Sequence, residues 1–501
     1  MNVMRRALSG ILSAALVLGV GELLAAVVGP DSSPIVAVGS AAVDNTPAGV
    51  REWAIDTFGT SDKLALFIGM GVVIALLAAG AGILERARRP IGSALFVVLG
   101  VLGVLAAISR SGSGSIAALP TVVGVAVGVL VLRSLVERAD PDASEGFSRR
   151  RFVMLAGISA AAAVATGAAG RVLGASTRAV TQDRNAFTVP VPDSPAPPVP
   201  AAADLRLPGL SPYVTSNAEF YRIDTALVVP RVNSQDWSLR IHGMVDNEMT
   251  LTLADLEQRV SIERMVTLTC VSNPIGGDLV GNATWTGYAL KDILAEARPQ
   301  ASADMVLSSS HDDFTAGTPL DVLMDGRDAM LAVAMNGEPL PIEHGYPARL
   351  VVPGLYGYVS ATKWVTDLEV TKFSQARAYW TDRGWSERGP IKTACRIDTP
   401  VGSKDVQAGT VMIAGVAWAQ HRGISRVEVR VDDGPWTETT LSDEYSRDTW
   451  RQWSYAWTAT SGQHRIEARA TDGTGEVQTD VRVDTVPDGA SGYASMPVTV
   501  Q

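Results

Sequence analysis

The stretch Met265-Val266-Thr267-Leu268-Thr269-Cys270-Val271-Ser272-Asn273-Pro274, followed by Trp285-Thr286-Gly287, decides how the rest of the chain is interpreted. The alternation of Val266, Leu268 and Cys270 predicts a β-strand that leads into a loop. Cys270 is one of two cysteines in the chain, and a thiol at the end of a strand is well placed to act as a metal ligand or a nucleophile. The alternative for such a residue is a small buried hydrophobic side chain.

The composition favours a protein with membrane segments and argues against a nucleic-acid partner. Of the 501 residues 47% are hydrophobic, and the formal net charge is -10. A chain of this length accommodates about three domains. An acidic chain is poorly suited to binding a phosphate backbone. Two cysteines cannot form a disulfide framework, so packing must supply the stability.

The first 174 residues predict an all-α membrane region. A helix needs roughly 20 apolar residues to span lipid, and four stretches approach that length: 11–28, 64–84, 91–109 and 116–132. A fifth and milder stretch, 152–169, brings the expected number of spans to about five. Arginines are concentrated before the first, third and fifth stretches, which predicts a cytoplasmic N-terminus and an extracytoplasmic chain after about residue 175.

The fifth stretch follows Ser148-Arg149-Arg150-Arg151-Phe152-Val153-Met154-Leu155, which is similar to a twin-arginine export signal at an internal position. A basic flank of an ordinary membrane helix is the alternative. All five histidines come after residue 240, so the predicted spans lack the axial ligands of a membrane haem, and none is expected. The region is predicted to be an anchor or assembly surface. A transporter is the alternative, but it is disfavoured because the predicted spans contain few ionisable groups.

Three further segments follow the membrane region. Residues 175–212 are rich in proline, which predicts an extended spacer without chemistry. Residues 213–390 mix strand-like and helical patterns with glycine and proline breaks, which predicts an α+β domain. Residues 391–501 contain closely spaced alternating patterns that predict an immunoglobulin-like β-sandwich, with Cys395 as a buried structural thiol.

A second informative block, residues 336–354, places His344 and Arg349 on either side of a glycine and a proline. A histidine and an arginine on such a constrained loop could bind a phosphate through charge-assisted hydrogen bonds. Hydroxyl side chains and Lys363 follow downstream. Each residue alone could be an ordinary loop or surface residue, but together they predict an anionic ligand with an extended polar tail.

From about residue 213 to the C-terminus, the order of these motifs resembles the sulfite oxidase family of molybdopterin-dependent oxidoreductases. The resemblance implies a molybdenum–molybdopterin cofactor, with Cys270 as the thiolate ligand of the metal. It also implies a homodimer through the C-terminal sandwich. The residues that it implies as cofactor contacts are Asn217, Phe220, Tyr221, Asp312, His344, Arg349, Ser360, Thr362 and Lys363.

The substrate side of the motif pattern departs from that family. Where sulfite oxidases have a tyrosine in an Asp-Tyr-Lys-Gly-Phe segment, this chain has 379–385, with Asp382 near the tyrosine's place. Arg222, the match to a family arginine, lies one position off and is the candidate catalytic arginine. Arg222, Arg383 and Lys392 could line an anion-binding mouth or be solvated. The cofactor site is therefore better supported than a sulfite site.

These observations predict a multi-pass protein of the cytoplasmic membrane whose catalytic domain faces the extracytoplasmic side. The expected reaction is oxygen-atom transfer on a small sulfur- or nitrogen-containing substrate, such as an oxyanion. The alternatives are a sulfoxide reductase of the same family and a cofactor-less, membrane-tethered interaction protein. Because no Cys-x-x-Cys-His haem motif is present, a separate electron-transfer partner is expected.

Overall fold

The computed structural model of the protein describes residues 3–29, 32–58, 62–86, 89–109, 115–137, 148–173, 176–400 and 406–501. The chain divides into two compact units. The first comprises Met1–Ala179 and Ala226–Val229, and the second comprises Val180–Thr225 and Pro230–Gln501. Of the segment similar to a twin-arginine signal, the side chains of 148–152 and 155 lie outside the described residues.

The first unit is helical, as predicted. Its helices are α1 (Val3–Val28), α2 (Pro34–Asp44), α3 (Ala48–Phe58), α4 (Asp62–Leu84), α5 (Ile91–Ile108), α6 (Leu119–Glu137) and α7 (Ser148–Leu173), with a helical turn at Ser115–Ala118 and the short strands β1 (Glu85–Arg86) and β2 (Arg89–Pro90). Helix α8 (Ser176–Ala186) crosses the boundary between the units.

Four helices of the described chain are long and apolar enough to cross a membrane: Val3–Val28, Lys63–Leu84, Ile91–Ile108 and Ser115–Val136. The predicted fifth span forms α7, in which Ala156–Gly167 is a shorter apolar helix among the residues whose side chains are described. The fifth span stays a prediction.

Helix α1 packs against α4, α6 and α7 at the centre of this unit. A Cβ atom at Gly10 would overlap the backbone carbonyl of Ala78, and one at Gly82 would overlap the carbonyl of Arg6. The backbones of α1 and α4 therefore approach each other through glycines. Small residues at helix contacts are a common means of packing helices in membranes.

The second unit begins with an α+β region built on two five-stranded sheets. One sheet has the order β10-β9-β6-β5 with β11 paired to β9, and the other has the order β4-β3-β12-β7-β8. The strands are β3 (Ser238–Gly243), β4 (Met249–Thr252), β5 (Ser261–Thr269), β6 (Val280–Ala289), β7 (Met305–Ser310), β8 (Thr315–Pro319), β9 (Met330–Met335), β10 (Glu338–Pro339), β11 (Arg349–Val351) and β12 (Val365–Thr371). The helices are α9 (Leu253–Leu256), α10 (Leu290–Ala297) and α11 (Leu320–Met324), with helical turns at Ala201–Ala203, Ile342–His344, Gly357–Val359 and Thr381–Arg383.

Strand β5 confirms the strand predicted before Cys270. Met265 contributes to one hydrophobic cluster, whereas Val266 and Leu268 contribute to another. The strand is therefore buried on both faces, which explains why Met265 through Thr269 are buried without interruption. One of these faces contacts the C-terminal part of the chain, since Thr267 bonds the backbones of Asp448 and Trp450.

From Val180 onward, the segment predicted to be an extended spacer belongs to the second unit. Val180 is 1% exposed and Ala203 is fully buried. Asp193 accepts the backbone N–H of Ser261 at 2.8 Å, and the backbone N–H of Ser194 donates to the Ser261 carbonyl at 3.1 Å. The prolines keep the segment extended, as expected, but its polar backbone groups pair with an edge of the sheet.

The C-terminal part of the chain is a two-sheet β-sandwich, as predicted. One sheet has the order β13-β14-β18-β17 and the other β16-β15-β19-β20. The strands are β13 (Ala394–Thr399), β14 (Gly409–Trp418), β15 (Ile424–Val431), β16 (Thr437–Glu438), β17 (Thr440–Leu441), β18 (Arg451–Ala459), β19 (Gly462–Asp472) and β20 (Ala494–Val500). Cys395 and Trp453 lie in the core between the sheets, at 2% and 0% exposure.

Candidate functional site

Cys270 lies immediately after β5, at the start of a tight loop that returns to β6. Its backbone N–H donates to the Leu279 carbonyl at 2.9 Å, and its carbonyl accepts the N–H of Asn273 at 3.1 Å. Burial raises the pKa of the thiol, and hydrogen bonds from Ser272 oppose that shift. The thiol is therefore protonated at neutral pH and is activated only by a partner that stabilises the thiolate, such as a metal ion.

The thiol lines a cleft. The cleft is formed by the 220–225 segment, the Cys270 loop, the β7–β8 connection, the His344–Arg349 loop and segments around 360 and 380. The predicted site residues that line it are Phe220, Tyr221, Cys270, Asp312, His344, Arg349 and Lys363. Residues far apart in sequence are thus brought together as the motif order implied.

Arg349 is a buried cation that has no carboxylate partner within the described residues. It is 5% exposed, and its guanidinium donates to the His344 carbonyl at 3.1 Å. The guanidinium carbon also lies 5.0 Å from the centre of the Trp285 ring. Desolvation lowers the pKa of Arg349 to about 10. A buried charge of this kind is costly unless a ligand of opposite charge compensates it.

His344 is neutral in this environment. Burial, followed by the nearby charges of Arg349 and Lys363, lowers its pKa to about 4. Its Nε2 lies 3.2 Å from the carbonyl oxygen of Asn217, so Nε2 carries the proton and donates it in this contact. The ring also packs edge-on against Phe220, at 5.7 Å between centroids.

Lys363 is held by Asp224, a residue that the sequence motifs did not single out. The Lys363 ammonium lies 2.7 Å from the Asp224 carboxylate, and Arg222 binds the same carboxylate at 2.8 Å. Desolvation lowers the pKa of Lys363 to about 8, against the opposing effect of Asp224. The spacing Arg222-x-Asp224 and the acidic side chain beside a predicted anion site are the signals that could have identified this residue.

Two aromatic residues and one acidic residue complete the inner wall of the cleft. Phe220 stacks on Tyr221 at 5.1 Å between centroids and meets Trp285 edge-on at 5.7 Å. Burial raises the pKa of Tyr221, so the phenol is neutral. Burial and then the charge of Asp224 raise the pKa of Asp312. The two aromatic rings can pack against a planar ligand, and the neutral Tyr221 hydroxyl can donate a hydrogen bond.

The other predicted cofactor contacts do not line the cleft. The side-chain oxygen of Asn217 accepts the Asn336 amide at 2.9 Å, and the Ser360 hydroxyl donates to the Tyr356 carbonyl at 2.9 Å. The Thr362 hydroxyl lies 2.7 Å from that of Ser308. These side chains stabilise the loops that carry the cleft residues.

Arg222, Arg383 and Lys392, for which an anion-binding mouth and a solvated position were both left open, do not line the cleft. Arg222 binds Asp224, Lys392 binds Asp488 at 2.8 Å, and the Arg383 guanidinium stacks on the Tyr379 ring at 3.5 Å. Their neighbouring acidic and aromatic side chains engage these cations instead.

The outer wall of the cleft is aromatic. Phe314, Tyr358, Trp380 and Trp385 all line it. Trp385 lies 5.8 Å from Tyr358 and 6.1 Å from Trp380, measured between ring centroids. Tyr379 continues this row, with its ring 5.2 Å from that of Trp380 and 5.8 Å from that of Phe314. The sequence motifs did not predict this aromatic wall.

Comparison with known proteins agrees with this arrangement. Residues 226–380 match the oxidoreductase molybdopterin-binding domain, and residues 394–468 match a bacterial Ig domain. The chain is 33% identical over 153 residues to the uncharacterised oxidoreductase YuiH of Bacillus subtilis, covering 30% of this chain and 74% of that protein. It is 28% identical over 317 residues to the mitochondrial sulfite oxidase of Homo sapiens, covering 54% of this chain. The chain spans 58% of the length of that human protein.

A solved structure shares the fold. The sulfane dehydrogenase SoxCD from Paracoccus pantotrophus superposes with a TM-score of 0.50 at 22% identity, over 58% of this chain and 84% of that chain. The fold and the matched domain define a molybdopterin-binding oxidoreductase, which implies a molybdenum–molybdopterin cofactor. The chain belongs to the sulfite oxidase-like family of these enzymes.

Proposed function

We propose that the chain catalyses oxygen-atom transfer on a small sulfur- or nitrogen-containing substrate in the Cys270 cleft. The observation that carries this proposal is the shared cleft of one thiol and one buried guanidinium, Arg349, that no carboxylate neutralises within the described residues. A soft sulfur donor suits a thiolate-binding metal, and a buried guanidinium suits a phosphate. The donor set therefore fits both ends of a metal-bearing pterin phosphate.

The residues of the cleft have distinct functions in this proposal. Cys270 would hold the metal, while Arg349 and Lys363 would bind the anionic end of the cofactor. Phe220 and Tyr221 would pack against its planar part. When bound, the cofactor supplies two-electron oxygen-atom chemistry. The protein keeps His344 neutral, with its one N–H donated to the Asn217 carbonyl. The aromatic side chains that line the cleft would exclude water from the bound cofactor.

The test uses the full chain, purified in detergent from a host supplied with molybdenum. Oxidation of sulfite is measured with a one-electron acceptor, and reduction of nitrate or sulfoxides is measured with reduced methyl viologen. Cys270→Ser removes the proposed metal ligand, and Cys395→Ser changes the buried thiol of the β-sandwich as a matched control. Turnover that is lost only in Cys270→Ser supports the proposal. A metal-loaded chain inactive on every such substrate contradicts it.

The aromatic outer wall favours a second candidate, reduction of a neutral sulfoxide. Trp380, Trp385 and Tyr358 offer apolar ring surface, whereas the three cations expected at an anion-binding mouth are engaged elsewhere. A neutral organic oxide loses less hydration on entering such a wall than an oxyanion does. A larger kcat/KM for methyl phenyl sulfoxide than for sulfite or nitrate would select this candidate.

The site residues are assigned as follows in this proposal. Cys270 is the proposed metal ligand. Arg222, held at the margin of the cleft by its ion pair with Asp224, is the proposed catalytic arginine. Asn217, Ser360 and Thr362 act through the loops that they stabilise. The domain boundaries that we propose are 1–174 for the membrane region, 213–390 for the catalytic domain and 391–501 for a β-sandwich that forms a homodimer.

The four candidate spans support anchoring in a membrane. The extracytoplasmic position of the catalytic domain follows from the distribution of arginines and requires the fifth span predicted at 152–169, because four spans would return the chain to the side of its N-terminus. The arginine motif at 148–155 supports export by a twin-arginine route. Electrons would pass to or from a separate protein or a quinone. Labelling of an introduced cysteine near residue 480 in intact cells tests the orientation. Protection of that cysteine until the membrane is broken would contradict an extracytoplasmic catalytic domain.

A further inference from the structure

Strand β5, which presents Cys270, is the edge strand of its sheet. An edge strand has a row of backbone groups without a partner strand. Near the start of β5 this row is covered by Ser194, whose carbonyl accepts the N–H of Glu263 at 2.9 Å. Near its end the row is covered by the β-sandwich, because the N–H of Thr267 donates to the Asp448 carbonyl at 3.0 Å.

Gln420, two residues beyond β14 of the sandwich, contacts Thr269, the residue before Cys270. Its side-chain amide nitrogen donates to the Thr267 carbonyl at 2.9 Å and to the Thr269 hydroxyl at 3.0 Å. Since a carbonyl only accepts hydrogen bonds, the nitrogen must be the atom that faces Thr267. Gln420 is fully buried. The backbone N–H of Trp450 adds a bond to the Thr267 hydroxyl at 2.8 Å.

The sandwich also contacts the far side of the loop that Cys270 begins. Arg396 of β13 donates to the Gly277 carbonyl at 3.2 Å and binds Asp398 within the sandwich. The β-sandwich therefore contacts the chain at both ends of this loop. Within the loop itself, Asn273 accepts the Leu279 N–H at 3.0 Å.

From this arrangement we infer that the immunoglobulin-like domain is part of the metal site, and that Gln420 is a positioning residue that fixes the end of β5 and thereby the direction of the Cys270 thiol. This inference rests on the proposed function, because it assigns a positioning residue to the thiol that is proposed to bind the metal. Residues that orient a metal ligand typically change metal affinity or activity by roughly 10–100-fold when they are replaced. The sandwich would then orient the metal ligand Cys270, in addition to making any contact between subunits.

The test compares Gln420→Met with Gln452→Met in the full chain. Gln452 is an equally buried glutamine of the same sandwich, but its amide bonds Ser211 and Leu205, outside the catalytic cleft. Both variants lose a buried amide of the same size. We expect molybdenum retention against a chelator to fall roughly 10–100-fold in Gln420→Met alone, with a shifted thiolate-to-metal absorption band. Equal retention and an unchanged band in both variants would overturn the inference.

A second measurement separates this inference from the proposed function. In chains produced without molybdenum, the rate at which Cys270 reacts with a thiol reagent is followed, with Cys270→Ser giving the background from Cys395. We expect a several-fold change in rate in Gln420→Met and none in Gln452→Met. Equal rates overturn the inference, even where the wild-type chain binds metal. A changed rate in a chain that never binds metal supports the positioning and contradicts only the proposed function.

Thr269→Val provides an independent variant in case Gln420→Met does not fold. It removes one of the two acceptors of the Gln420 amide at nearly constant side-chain volume. The same shift of the absorption band and the same change in thiol reactivity are expected, at smaller size. Wild-type values for both measurements would overturn the inference.

Discussion

Lys363 and Arg222 share one carboxylate, that of Asp224, at 2.7 and 2.8 Å. The side chains of Lys363 and Asp224 are 9% and 4% exposed, whereas that of Arg222 is 39% exposed. Asp224 therefore lies between the two cations. Lys363 lines the cleft, whereas Arg222 lies at its margin. Two cations and one carboxylate leave a net positive charge beside the cleft.

Replacing Asp224 by asparagine should destabilise the cofactor-free chain. Loss of one partner of a buried ion pair costs about 3–5 kcal/mol because the other charge stays buried without compensation. The control is Asp382→Asn, since Asp382 pairs with Arg377 at 3.0 Å with both side chains more than half exposed. An exposed pair contributes about 0–1 kcal/mol. Denaturant unfolding of the second unit measures both, and equal losses would contradict the account.

Replacing Arg349 by methionine should have opposite effects on binding and on stability. Without cofactor the guanidinium is a buried charge that has no carboxylate partner among the described residues, so its removal should leave the melting temperature unchanged or higher. Pterin content should nevertheless fall. The control Arg422→Met removes the cation that pairs with the fully buried Asp472 carboxylate, 2.8 Å from the Arg422 guanidinium. This variant should lower the melting temperature. A large loss of stability in Arg349→Met would argue against an anion site.

The stability of the cofactor-free chain should fall as the pH is lowered from 6.5 to 4, in part because of His344. Its pKa in the folded chain is about 4, below the ordinary value of 6.5, so the unfolded chain binds more protons in this window. The difference corresponds to about 3 kcal/mol. In His344→Gln this part of the pH dependence should vanish.

His464 provides a control of opposite sign for that measurement. The side chain of Asp432 raises the pKa of His464, so its contribution is present below the unfolded value and is lost as the pH rises through the folded value. His464→Gln should therefore leave the loss of stability between pH 6.5 and 4 in place. The account fails if His344→Gln and the wild type show the same slope.

Replacing Trp385 by leucine tests the aromatic wall. Trp385 contacts the rings of Tyr358 and Trp380, and all three line the cleft. If organic substrates lie against these rings, KM for methyl phenyl sulfoxide should rise by about fivefold, in line with roughly 1 kcal/mol for an aromatic contact, while KM for sulfite changes little. Trp457→Leu, in the sandwich core, serves as the control for general damage. Equal changes for both substrates would contradict a binding function for the wall.

The sequence predicted those features that depend on local pattern or on motif order. The strand before Cys270 and the alternating strands around Trp453 follow from local periodicity. The seven predicted residues that line the cleft followed from motif order rather than from spacing. For each of these features, the residues that form it carry a recognisable sequence pattern or motif.

What the sequence did not predict depends on contacts between distant segments. The proline-rich segment was predicted to be an extended spacer because its composition cannot form a core, and the pairing of its backbone with β5 through Ser194 was not predicted. Arg383 was a candidate for an anion-binding mouth because its charge is visible in the sequence, whereas its stacking on Tyr379 is not. Gln420 gave no signal at all, since an isolated glutamine in a β-sandwich has no motif.

The most direct test of the central claim is the molybdenum and pterin content of the full chain and of Cys270→Ser, with Cys395→Ser beside them. The account predicts about one molybdenum and one pterin for each wild-type and Cys395→Ser chain, together with a visible thiolate-to-metal band. In Cys270→Ser the band should be absent. A folded wild-type chain without molybdenum or pterin, or a Cys270→Ser chain that keeps the band, would contradict the assignment of this cleft as the molybdenum site.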